Sequence, residues 1–136
     1  MIATTADWDL ARIAAVAAAI GFAGIALFQV ALAAGAPLGR AAWGGAHAGQ
    51  LPGGLRIASG VAILVWAAAS LLLLRRGGLG VLAIPEGAAV WGAWILCGLS
   101  AVGALMNLAS SSGWERFFWA PYALILAGLC AVAARG

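Results

Sequence analysis

The side chains of this sequence that can do chemistry are few, and they fall close to the ends of apolar runs. His47 is the only histidine, in GRAAWGGAHAGQLPGGLR (39–56), a stretch that also holds Arg40 and Arg56. Gln29 stands late in the first apolar run, Ser59 early in the second, and Asn107 at the end of the third. Glu115, Arg116 and Tyr122 open the fourth. Arginine presents a planar fork that suits a carboxylate or a phosphate, so Arg56 is the best charged contact for an anionic ligand. The amides of Gln29 and Asn107 suit ligand contact and hydrogen bonding between helices equally well. Histidine is the side chain that changes charge nearest neutral pH, which makes His47 either a pH switch or a plain loop residue. Glu115 follows Ser112 at Ser-x-x-Glu spacing, in which serine and glutamate each satisfy a free amide at a helix start.

These residue types give an enzyme little support. A metal site needs several His, Cys or carboxylate ligands brought together, and one histidine with one nearby acid is too few. Haem held by two histidines is excluded by the same count. Cys97 and Cys130 both lie inside apolar runs, without a disulfide or metal-ligand spacing, and read as small, polarizable packing residues. The glycines of Gly77-Gly78-Leu79-Gly80 follow an apolar run instead of a strand, so they do not form a phosphate loop. No metal and no cofactor is expected. Proton-coupled drug exporters have a similar size and span number, but they need an embedded carboxylate, and the expected spans contain none.

The elements that must position these groups follow from composition. Hydrophobic residues make up 65% of the chain and charged residues 8%, with a mean hydropathy of +1.08, against roughly a quarter charged in a soluble domain. A chain this short leaves about a third of its surface exposed when folded, so the solvent for most of it must be lipid. The net charge of +3 comes from scattered arginines, which argues against nucleic acid as a partner. Four runs, 10–34, 55–74, 88–106 and 117–134, approach or exceed the about 20 apolar residues of a spanning helix. A strand alone in lipid would leave its backbone unpaired, and barrel alternation is missing. The expected fold is all-α: one four-transmembrane-helix bundle over residues 1–136, an integral membrane protein. Asp7 and Asp9 precede the first run, which is too long for a signal peptide.

Small residues let helices approach in lipid. Ala89, Ala93, Cys97 and Ala101 form one such stripe, and Ala123, Ala127 and Ala131 another. Trp8, Trp43, Trp114 and Trp119 fall near span ends, where indole rings suit the headgroup layer. Trp91 and Trp94, one turn apart, offer an aromatic wall or plain anchoring. With four spans, Arg12, Arg75, Arg76 and Arg135 share the side of the termini, and Arg40, Arg56 and Arg116 lie opposite. The positive-inside rule then favours cytoplasmic termini by four to three. Gln29, His47, Arg56, Ser59, Asn107, Glu115, Arg116 and Tyr122 all fall at the outer end. The glycine-rich 39–54 segment reads as a cap over a polar vestibule there. Its occupant would be a small polar or anionic ligand or a lipid headgroup. Each member also has a plainer reading: Arg40, Arg56 and Arg116 as snorkelling side chains, Glu115 as a capping acid, and Glu86 as a carboxylate at a helix start.

FQVALAAGAPLGRAAWGGAH (28–47), LPGGLRIASG (51–60) and NLASSSGWERFFWAP (107–121) resemble segments of small four-span bacterial membrane proteins, a family without an assigned activity. The resemblance implies the bacterial inner membrane and the four-helix fold, and it carries over no functional residue. The expected function is non-enzymatic binding or transport of a small solute or lipid, in a homo-oligomer with membrane lipids as partners. A structural or accessory subunit of a larger membrane complex is the alternative, and a small intramembrane enzyme the third reading.

Overall fold

The computed structural model describes residues 4–80 and 82–136. The first helix, α1 (Thr5–Ala34), starts at a reciprocal cap: the Asp7 amide donates to Thr4 Oγ1 at 3.3 Å, and the Thr4 amide donates to Asp7 Oδ2 at 2.9 Å. It stops at Gly35, which takes φ 99°, the left-handed conformation that commonly ends a helix. Pro52 and Pro85, both extended, immediately precede α2 (Gly53–Arg76) and α3 (Glu86–Ala109). The last helix, α4 (Ala120–Arg135), is entered through a π turn over Glu115–Trp119. All four helical segments are long and apolar enough to cross a membrane, and among the described residues there is no strand. Each begins ahead of the expected apolar run, since helix geometry extends over the polar or glycine residues that precede it, Thr5–Asp9 in α1 and Gly53–Gly54 in α2. At 30 residues, α1 is about 45 Å long, longer than a hydrocarbon core of about 30 Å.

The helices alternate in direction. α1 packs along both α2 and α4, and α3 packs along α4. The face of α1 is built from Ala11, Ala14, Ala15, Ala18 and Ala19, followed by Phe22, so neighbouring backbones come close, which is where dispersion contacts hold helices together in lipid. Two hydroxyls fasten this face: Ser70 Oγ donates to the Ala19 carbonyl at 2.7 Å, and Tyr122 OH donates to that of Gly21. Phe22 stacks on Trp66 with ring centroids 5.6 Å apart.

The expected small-residue stripes are present only in part. Ala89 and Ala93 are fully buried, but the buried line on α3 then runs through Leu96, Ser100 and Ala104 and leaves Ala101 half-buried. On α4 it follows Leu126, Ala127, Cys130, Ala133 and Ala134. A helix turns every 3.6 residues, so a strict four-residue spacing drifts off the contact. Cys97 packs against the core that holds Cys130. Trp91 and Trp94 face outward and make no wall inside the bundle.

α2 and α3 meet only near the loop that joins them. There Arg76, nine-tenths buried, donates from Nη1 to Glu86 Oε1 at 3.0 Å. Arg75 Nε donates to the Ile84 carbonyl at 2.9 Å, and Leu72 lies against Gly92, where a Cβ would come within 2.4 Å of its Cδ1. Toward their other ends the two helices part.

Candidate functional site

The gap between α2 and α3 is roofed by the 36–52 segment. After Gly35 this chain bends into two short 3-10 turns, Gly39–Ala41 and Trp43–Gly45. The Gly39 amide donates to the Gly49 carbonyl at 2.8 Å and closes the loop. The approach is so tight that a Cβ on Gly39 would lie 2.0 Å from the His47 carbonyl oxygen. Trp43, Gly44 and Gly45 are left-handed in succession, at φ 52°, 82° and 73°. Glycine accepts this without penalty, whereas at Trp43 it stores strain. The Trp43 conformation is held by its indole, which donates from Nε1 to Ser59 Oγ at 3.0 Å.

Further bonds fix this lid at both edges. Leu51 and Ala42 pack on Leu32, and Gln50 Nε2 donates to the Gly35 carbonyl at 3.2 Å. Across the bundle, the Gly44 amide donates to Glu115 Oε1 at 3.0 Å, and Ser112 Oγ donates to the Arg40 carbonyl. The Ser112–Glu115 cap is therefore only half made. The Glu115 amide donates to Ser112 Oγ at 3.4 Å, but the Glu115 carboxylate accepts from Gly44 and Ser110 Oγ instead of closing back on Ser112.

Beneath the lid lies a cleft of about 1240 Å³. Along α2 its wall runs from Leu55 to Trp66, which the helix rise makes about 16 Å, half of a hydrocarbon core about 30 Å thick. Ile25, Val61, Val65, Leu99 and Met106 make it mostly apolar; of its polar groups, Gln29, Asn107, Ser110, Ser111 and Glu115 gather at the lid end, while Ser100 and Tyr122 line it deeper. The amide oxygen of Gln29 is buried without a hydrogen-bond partner.

Of the residues singled out in the sequence, Gln29, Asn107, Glu115 and Tyr122 line the cleft. The other four lie off its wall. Arg56 donates from Nε to the Ala33 carbonyl at 3.1 Å, because the last carbonyls of α1 lack helical partners and attract a cation. Ser59 is fully buried behind the wall as the acceptor for Trp43. Arg116 is exposed, with its guanidinium 5.6 Å from the Phe117 ring centroid, and His47 is exposed on the lid. Among the described residues no cation lines the cleft, and Arg56, expected as the contact for an anionic ligand, lies off its wall. Trp43, read in the sequence only as a ring for the headgroup layer, pins the lid to Ser59, and Ser110 holds Glu115; the Trp-Gly-Gly triplet is the available signal for the left-handed turn. Glu115 is a buried carboxylate at the start of the fourth helical segment, two residues ahead of the expected span. Among the described residues no three His, Cys, Asp or Glu side chains are placed to hold a metal ion.

Fold and cleft define the class: a multi-pass membrane protein built as a four-helix bundle. No protein-family model, curated protein or solved structure matches the chain.

Proposed function

We propose that the protein binds a membrane-resident amphiphile in the α2–α3 cleft and does so without chemistry. The observation that carries this reading is the depth of the cleft, one leaflet, with a side opening between two helices, a roof and a closed foot. A partner's spanning helix needs a groove about 30 Å long, twice what is offered, whereas a single lipid-like molecule spans one leaflet. Binding is favoured over transport because the cleft ends at mid-membrane, near Trp66 and Leu126. The head would be uncharged and rich in donors. Gln29 Oε1 lacks a donor, and the nearby Glu115 carboxylate repels an anion. A bacterial inner-membrane location with cytoplasmic termini puts the cleft in the outer leaflet, and a homo-oligomer leaves its mouth free if protomers meet elsewhere.

The test is native mass spectrometry of the protein extracted gently from its own membrane. One lipid class with an uncharged head should be retained at a one-to-one ratio. Gly103→Phe should abolish that retention without harming the fold, since Gly103 lines the cleft and faces open space. A chain carrying no lipid, or carrying a second protein, would transfer the assignment to an accessory subunit.

A further inference from the structure

A second pocket of about 620 Å³ lies on the other flank of the lid, against α1 and the entry to α4. Phe28 and Trp119 line both pockets, and their ring centroids are 4.9 Å apart. Together with Ala41, which also lines both, this pair stands between the two pockets. Trp114 and Phe118 complete the aromatic side, with Phe118 edge-on to Trp119 at 4.9 Å. The π turn places these rings. Pro121 presses its ring toward the carbonyl four residues before it, and the wider turn over Glu115–Trp119 makes room.

The lid side of this pocket is formed by Pro37, Leu38, Ala48 and Gly49 together with Arg40. The backbone at Arg40 is fixed, since its carbonyl accepts from Ser112 Oγ and its 3-10 turn is closed by Gly39. The guanidinium is exposed, and among the described residues it has no acid or hydrogen-bond acceptor. The other two arginines of this end are engaged, Arg56 on the Ala33 carbonyl and Arg116 over Phe117.

We propose that this pocket is a second ligand site, which takes the phosphate head of an anionic phospholipid on Arg40 and the start of its chains on the aromatic side. A guanidinium pairs with phosphate through two parallel N–H bonds, and tryptophan rings belong at headgroup depth. The site differs from the cleft in ligand class, and it stands whether or not the cleft is occupied.

The full chain reconstituted in nanodiscs of equal phosphatidylcholine and phosphatidylglycerol tests this by native mass spectrometry. One phosphatidylglycerol should be retained in preference, and Arg40→Gln should reduce that preference about tenfold, the scale of one charge-assisted bond. Trp114→Leu should weaken retention as well, and Arg116→Gln should leave it intact. An equal loss in Arg40→Gln and Arg116→Gln would mean diffuse attraction to the surface and overturn the proposal. So would saturable binding of inorganic phosphate, lost in Arg40→Gln, in nanodiscs of phosphatidylcholine alone, which would make the site one for the free anion. Gly103→Phe fills only the cleft, so failure of the cleft assignment is read separately.

Discussion

Among the described residues Glu115 is buried without an ion-pair partner, and its carboxylate accepts from the Gly44 amide and the Ser110 hydroxyl. Truncating it should therefore act on the lid. Glu115→Ala leaves the Gly44 amide without its acceptor, and losing a hydrogen bond to a charged group costs about 1.5–3 kcal/mol. Hydrogen exchange across 39–50 should quicken accordingly, with a smaller change in Glu115→Gln, whose amide oxygen still accepts from Gly44. Exchange unchanged in Glu115→Ala would mean that Trp43 and the Leu32 cluster hold the lid alone. Gly39→Ala should be more severe. The clash is with backbone at His47, which cannot rotate away, so the lid must refold and Trp43 must leave Ser59; limited proteolysis between 39 and 50 would detect it. At this scale the sequence is half legible. Ser112 and Glu115 are three residues apart and announce a cap, but Gly44 lies 71 residues from Glu115, and no local pattern encodes that bond.

Between elements, the foot of the α2–α3 pair depends on Arg76 and Glu86. Arg76 is buried with Nε and Nη2 unpartnered, while Glu86 is 60% exposed. The pair therefore lies between a surface bridge, worth about 0–1 kcal/mol, and a buried one, whose breakage costs about 3–5 kcal/mol. Glu86→Gln should destabilise by about 1–2 kcal/mol on those bounds, seen as a lower thermal midpoint in detergent. Adding Arg76→Met should restore much of the loss, because the uncompensated guanidinium is then gone. If the double variant is no more stable than Glu86→Gln, the arginine contributes through its packed stem instead of its charge. The four helices themselves are plain in the sequence, from apolar length and the prolines and serines between them. Which residue of a stripe is buried is less so: Ala101 and Ser100 are both small, and only the packed neighbour decides that Ser100 faces inward.

At the scale of the molecule, the gap between α2 and α3 is the feature that the sequence hides. In a soluble protein an unpacked face would show as polar residues, but lipid tails are as apolar as a neighbouring helix, so Val61, Val65 and Leu99 look alike whether they meet a helix, a lipid or a cleft. What the whole molecule does with that gap depends on the leaflet it opens into. Arginine placement favours the lid outside by four residues to three, and acids contribute little to that bias, so the margin is one charge. In a bacterial host, and in a Cys97→Ala, Cys130→Ala background, His47→Cys should react with a membrane-impermeant maleimide on intact cells. Adding Ala46→Arg and Gln50→Arg beside it reverses the count to five against four. If arginine balance sets the orientation, the lid cysteine should then be protected until the membrane is opened. Protection already in the starting variant would place the cleft in the inner leaflet, where its ligand would come from the cytoplasmic lipid pool. Labelling that persists after the added arginines would mean that the buried anchors at the foot, Arg76 and Glu86, fix the orientation more strongly than the loop charges do.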